Sequence, residues 1–198
     1  MNLDSYSDNY YRYYQTIIKD PTIPYPRIEG MIMKEEQEWL FDRASENDSI
    51  VEIGSWTGMS TYALCAGCKG TVYAIDTFEG TDDEIDGSMA LAKTGKLYEI
   101  FLKNVGHFSN LKVIKSKSED SVLFFEPKSI DMIFIDGDHR YEAVSKDLKF
   151  WFPVCKKFLC GHDKNHEGVQ RALKEFDLPW KEVPELAMWY INLGELNE

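Results

Sequence analysis

Long apolar runs are missing from this chain of 198 residues. None approaches the roughly 18 to 20 residues needed to cross a bilayer, and the polar start lacks the charged-then-apolar layout of a secretory signal. A cytoplasmic protein with no membrane-bound part is the expectation. Basic residues are also scarce: 22 Lys and Arg face 34 Asp and Glu, for a net charge of −12. The densest basic stretches, "KSKSED" and "CKK", are too short to offset that charge near a phosphate backbone, which excludes generic nucleic-acid binding. The acidity suits a small neutral or cationic ligand, or simply solubility.

Cysteine is sparse as well, with four in the chain. That is too few for a disulfide scaffold at this length. Cys65 and Cys68 form a C-x-x-C and Cys155 and Cys160 a looser pair. However, the first two fall in a helical apolar segment with Tyr62 and Leu64, and Cys160 ends an apolar strand. Small buried thiols explain all four better than zinc ligation does.

What is present is enough apolar residue, 43% of the chain, for one domain with a sizeable core. The first thirty residues differ from the rest. "YSDNYYRYY" holds five tyrosines in nine residues, and "DPTIPYP" carries three prolines that keep the backbone extended. Residues 1–30 therefore read as an arm packed on the body or a lid over it, and residues 31–198 as the domain. From Met33 to Ser45 an amphipathic helix is predicted, with acids early where a helix N-terminus favours them.

An alternation follows. "SIVEIG" (49–54), "TVYAID" (71–76), "LKVIKS" (111–116), "DMIFIDG" (131–137) and "KFLCGHD" (157–163) are short, uniformly apolar runs ending in polar or glycine residues. They read as parallel strands, separated by helical patterns such as Tyr141, Val144, Leu148 and Trp151. Strands this apolar need helices on both faces. "WKEV" and "MWYINL", separated only by "PELA", have no room for a crossover and predict an antiparallel closing strand. The fold class is α/β: a Rossmann-like, doubly wound sheet, mostly parallel, with an antiparallel C-terminal strand.

In such sheets ligands gather outside the carboxyl ends of the strands where strand order reverses. There the first strand runs into "VEIGSWTGMST", whose Glu52, Gly54 and Gly58 form E-x-G-x-x-x-G. Gly54 allows a tight turn and close backbone approach, and the next helix offers free amides to an anion. The second strand ends in Asp76, whose carboxylate can accept from two ribose hydroxyls. Together they describe a nucleoside-type cofactor. A nicotinamide dinucleotide prefers G-x-G-x-x-G, and Trp56 stands where the middle glycine would be, which disfavours a pyrophosphate and a nicotinamide-dependent oxidoreductase.

"VEIGSWTGMSTYAL", "AIDTF", "FIDGDHRYEAVSKDL" and "GHD", in that order, resemble the class I S-adenosylmethionine-dependent methyltransferases. Within them the chain is most similar to the small-molecule O-methyltransferase group that includes macrocin O-methyltransferase and cephalosporin-biosynthesis relatives, over about residues 28–194. The resemblance implies S-adenosylmethionine as cofactor, bordered by Gly54, Ser55 and Gly58, with Glu52 supporting the turn or the cofactor's amino group. Ser60 and Thr61 would lie near its carboxylate. Asp76 with Thr77 would hold the ribose, Phe78 would flank the adenine, and Ser118 and Glu119 would approach its edge. Ser118 also reads as a helix N-cap, compatible with that contact.

"DGDHRY" further resembles the D-x-D-K segment of metal-dependent catechol and caffeoyl-type O-methyltransferases. Asp136 would then bind a divalent metal such as Mg²⁺ or Mn²⁺, also contacting the cofactor, and His139 would be the base. The second metal pair would be His162 and Asp163, where relatives carry Asp-Asn or Asp-Asp, and the histidine shifts preference away from purely oxygen-bound ions. Metal-free base catalysis by His139 is the alternative, and Asp138 reads as a helix N-cap. His166 reads as a residue opening the last helix. A glycine-rich turn expected before the fifth strand is absent. The implied reaction is O-methylation of a small-molecule acceptor, a sugar hydroxyl included, by a chain whose default assembly is a homodimer. A module that binds S-adenosylmethionine without turning it over is the rival reading.

Overall fold

The computed structural model describes residues 28–81 and 88–197. The tyrosine-rich arm thus lies outside the described residues, apart from its last three. Helix α1 (Lys34–Ser45) leads into β1 (Ser49–Ile53), α2 (Met59–Gly67) and β2 (Thr71–Asp76). Then come α3 (Ser88–Lys93), α4 (Leu97–Val105), β3 (Leu111–Lys115), α5 (Ser118–Ser121), β4 (Ile130–Ile135), α6 (Tyr141–Trp151) and β5 (Cys155–Gly161). Helix α7 (Glu167–Glu175) and the hairpin β6 (Lys181–Glu182) and β7 (Trp189–Asn192) close the domain.

The strands form one sheet in the order β3-β2-β1-β4-β5-β7-β6. β1 to β5 pair in parallel, while β7 is antiparallel to both β5 and β6. The expected Rossmann-like sheet with an antiparallel closing strand is therefore what forms. Its order reverses between β1 and β4, so the tips of those two strands flank the natural binding crevice.

Alternation along each strand separates two cores. Ile50, Val72, Ala74, Met132 and Phe134 face α1, α2 and α4 through Leu40, Tyr62, Leu64 and Phe101. Val51, Ile53, Ile133, Ile135 and Leu159 face α6 and α7 through Val144, Leu148, Trp151, Ala172 and Leu173. Each fully buried Leu, Ile or Phe contributes about 1.5–3 kcal/mol relative to exposure, so these two layers hold the strand tips in register. All four cysteines are buried and free, as small apolar side chains.

The connection lacking a glycine turn is short: α6 passes through residues 152–154 directly into β5. The β4–β5 pairing shifts register between Ile130 and Met132. Lys156 and Lys157 both then reach Asp131, at 3.6 and 3.1 Å. Among the described residues, no helix is long and apolar enough to cross a membrane.

Candidate active site

A cavity of about 1050 Å³ opens along the tips of the parallel strands. Gly54 to Thr57 form its middle; Asp76, Thr77 and Ser116 to Glu119 line one end, and Asp136, His139, His162 and Asp163 the other. Gly30 to Met33, from the segment before α1, also line it. Thr57 donates to the carbonyl of Glu29, which ties that segment to the glycine turn.

The glycine turn is dictated by its surroundings. Gly54 has φ +83°, and a Cβ there would come within 2.1 Å of the carbonyl oxygen of Asp136, so only glycine lets the β1 and β4 tips meet. Gly58 caps α2 at φ +94°, with Val105 and Phe101 packed where a side chain would go. Asp76 Oδ2 accepts from the amides of Ser55 and Trp56, both at 2.8 Å, and Oδ1 from Phe78 at 2.6 Å. The carboxylate expected to hold ribose is thus also the anchor of the turn itself.

Beneath the turn, Glu52 is fully buried and accepts from Ser55 Oγ at 2.8 Å and Thr61 Oγ1 at 2.5 Å. Burial raises its carboxyl to about 7, against the pull of the neighbouring Ser60, Thr61 and Ser55 hydroxyls, which works the other way. Glu52 and Thr61 therefore support the turn from below, and Ser60 reaches the cavity wall. Phe78 departs from expectation. With φ +57° it turns its ring into the core, 4.9 Å from Tyr98 and 5.0 Å from Phe101, and does not line the cavity.

Ser118 is the first residue of α5, not its cap, and its hydroxyl has two partners. It donates to Asp147 Oδ1 at 2.5 Å and accepts from Trp151 Nε1 at 2.7 Å. Glu119 lines the cavity and pairs with Lys146 at 3.4 Å.

At the other end, acids and imidazoles alternate in a row. Glu36 Oε2 lies 3.0 Å from His162 Nε2, close enough to pair but off the hydrogen-bond line, and His162 Nδ1 lies 3.0 Å from Asp163 Oδ2. The same oxygen is 3.0 Å from His139 Nε2, which stands 3.9 Å from Asp136. Glu36 is further fixed by the amides of Met33 and Ala187. Burial disfavours the charged form of both imidazoles, but the acids outweigh it. Asp136 and Asp163 raise His139 to about 10, and Asp136, Asp163 and Glu36 hold His162 well above its ordinary value. Asp163 is correspondingly held well below the usual carboxylate range by both histidines, against its own burial.

Asp136, His139 and Asp163 each bring a ligand atom within 4.8 Å of the others. This set has His139 where His162 was expected; His162 stays beside it, with Nδ1 3.8 Å from Asp136 and 3.0 Å from Asp163 while Nε2 faces buried Glu36. Two carboxylates and an imidazole, half-buried, fit a divalent cation of the Mg²⁺ or Mn²⁺ class. Held by Asp136 and Asp163 alone, such a cation would take over the charge that raises His139 and let the imidazole shed its proton; held by all three, it would occupy that nitrogen and leave no base there. Asp138 does not cap α6; it accepts from the amide of Arg140, the N-cap, and pairs with its guanidinium. His166 caps α7 by accepting from Gly168.

A methyltransferase-domain family matches residues 51–163, from β1 to the acid at the end of β5. The chain belongs to that family. For this methyltransferase domain, a 55-residue stretch is 38% identical to an uncharacterized protein of Acanthamoeba polyphaga mimivirus, covering 26% of this chain and 25% of that protein. The match thus spans a quarter of the relative's length.

Solved structures share the fold at low identity. A Corynebacterium glutamicum protein has a TM-score of 0.60 at 12% identity, covering 82% of each chain. An O-methyltransferase from Bacillus cereus in complex with SAH has 0.55 at 14%, covering 80% of each chain. A TDP-rhamnose 3'-O-methyltransferase of calicheamicin biosynthesis has 0.55 at 14%, covering 80% of this chain and 77% of its own.

The cavity offers groups suited to the family's donor. The turn brings backbone close at Gly54, and Asp76 and Thr77 offer acceptors beside it.

Two residues of the site escaped sequence reasoning. Glu36 looked like an ordinary first-turn acid. Asp147 carried a readable signal, because it shares the Val144–Leu148–Trp151 stripe and so stands as an acid on a buried helix face.

Proposed function

We propose that this protein transfers a methyl group from S-adenosylmethionine to a hydroxyl of a small molecule, sugars included, as in the group to which macrocin O-methyltransferase belongs. The observation that supports it best is the single cavity joining the glycine turn to the Asp136–His139–Asp163 cluster. S-adenosylmethionine supplies a methyl carbon already activated by a sulfonium, so the protein's work is alignment and proton removal. The turn from Gly54 to Thr57 fixes the donor's amino-acid end, and Thr77 and Ser116 to Glu119 fix the nucleoside.

Asp136 and Asp163 would hold a divalent cation, which supplies Lewis acidity toward an acceptor hydroxyl. His139 takes the hydroxyl proton at Nε2, with Asp163 steadying the imidazolium that forms. The acceptor oxygen bonds to the methyl carbon as the carbon–sulfur bond breaks, and that electron pair stays on sulfur. Gly30 to Met33 close the acceptor side and limit water.

The test is transfer of labelled methyl from S-adenosylmethionine to a panel of catechols and glycosides, in EDTA and with added Mg²⁺ or Mn²⁺. Metal-dependent transfer is expected, with His139→Ala lowering kcat by about 10²–10⁴-fold while S-adenosylhomocysteine binding persists. Absence of S-adenosylmethionine binding under every condition overturns the reading. Binding without transfer to any acceptor identifies a non-catalytic module instead.

A further inference from the structure

Asp147 is a buried acid that the reaction above does not use. It sits on α6 with 7% of its surface exposed and lines the cavity beside Ser118. One oxygen, Oδ1, accepts from Ser118, whose own acceptor capacity serves Trp151. The other oxygen, Oδ2, has no hydrogen-bond partner among the described residues, yet it is not sealed from open space. Lys146, a neighbour on the same helix, reaches out to Glu119 instead and makes no ion pair with Asp147.

The position on the helix explains why the free oxygen meets the cavity. Ala143 precedes Asp147 by four residues, so the two share one row of α6, and both line the cavity. Ala143 carries only a methyl group and leaves the space in front of Asp147 open.

The location decides the ligand group. A nucleoside donor placed with its methyl toward Asp136 and Asp163, and its amino-acid end on the glycine turn, must direct its base to the β2–β3 end. The wall there is Ser116 to Glu119 with Ala143 and Asp147. A carboxylate whose second oxygen is unpartnered is an acceptor and calls for an N–H donor. At the 6-position adenine supplies one, its 6-amino group, whereas the 6-oxo purines present an acceptor there and carry their nearest donor one ring atom away, at N1–H. We propose that Asp147 is a specificity-determining residue that accepts a hydrogen bond from the adenine 6-amino group and so selects adenosyl over deaminated donors.

This rests on S-adenosylmethionine binding as proposed above. Calorimetric titration with S-adenosylhomocysteine and with S-inosylhomocysteine, its 6-oxo counterpart, separates the two ideas. Wild type is expected to prefer the adenosyl ligand by roughly 5- to 150-fold, the discrimination typical of a well-placed base-edge contact. In Asp147→Asn the amide can turn its NH₂ outward, and the preference should fall to near unity or reverse. If neither ligand binds wild type, the donor reading has failed and this proposal with it. If S-adenosylhomocysteine binds but Asp147→Asn weakens both ligands alike, Asp147 only steadies Ser118 and Trp151, and the specificity role is overturned while the donor reading stands.

Should Asp147→Asn not fold, a crystal structure of wild type with S-adenosylhomocysteine decides. Oδ2 within about 3 Å of the 6-amino nitrogen supports the proposal, and Oδ2 turned to water or another partner ends it.

Discussion

At the tips of β1 and β2, Asp76 accepts three backbone amides and Glu52 accepts two hydroxyls, all within one turn. Across the crevice at β4 and β5, three carboxylates and two imidazoles satisfy mainly one another. The first side uses acids to freeze backbone. The second stores charge, one negative in excess when both imidazoles are protonated, in groups whose protonation depends on what sits between them. A donor common to a family can be met by a rigid frame. An acceptor hydroxyl that must lose a proton needs groups able to change charge.

The comparison breaks most directly at Gly54. Gly54→Ala places a methyl group against the Asp136 carbonyl at positive φ, with an expected loss of roughly 3 kcal/mol or more. Urea unfolding should show it, and calorimetry should show S-adenosylhomocysteine affinity falling by more than about 100-fold, about 2.8 kcal/mol at the tenfold-per-1.4 conversion. Unchanged binding would mean the frame is softer than its contacts indicate.

Asp163→Asn tests the other side. It leaves the glycine turn intact, so S-adenosylhomocysteine should bind as in wild type, while Mn²⁺ affinity followed by electron paramagnetic resonance falls at least about tenfold. Equal damage to both ligands would show that the two sides are one unit.

Glu52→Gln sharpens the contrast through pH. Burial lets the folded chain keep the Glu52 proton up to about pH 7, against an ordinary 4.5. Between those values the folded state binds the extra proton. Glu52's contribution to stability therefore falls as pH rises from about 4.5 to 7 and is level above that. Relative to Glu52→Gln, wild type should lose roughly 3 kcal/mol across the window, an upper figure from the linkage relation. Urea titrations at pH 5 and pH 8 on both proteins measure it. Parallel curves would place the Glu52 charge elsewhere.

The sheet was legible because uniformly apolar runs ending in glycine or acid have few other uses, and the hairpin followed from four intervening residues. Gly54 and Gly58 were legible for the same reason: positive φ leaves few alternatives. Asp76 was found but its work was not, since an acid at a strand end reads alike whether it waits for ribose or anchors amides. The resemblance put Phe78 beside the adenine, whereas at φ +57° its ring packs on Tyr98 and Phe101 in the core. His139 and His162 were both visible. Glu36 was not, because it is distant in sequence and is brought to Nε2 of His162 by α1 packing on the sheet.

The contact between Gly54 and the Asp136 carbonyl leaves a partition one backbone thick between the two sides. Evolution or engineering toward new acceptors has no room to work at that partition. Variation has room instead at a side chain such as Met31, exposed on the segment before α1 and lining the cavity, where a change passes no shift to the donor's seat.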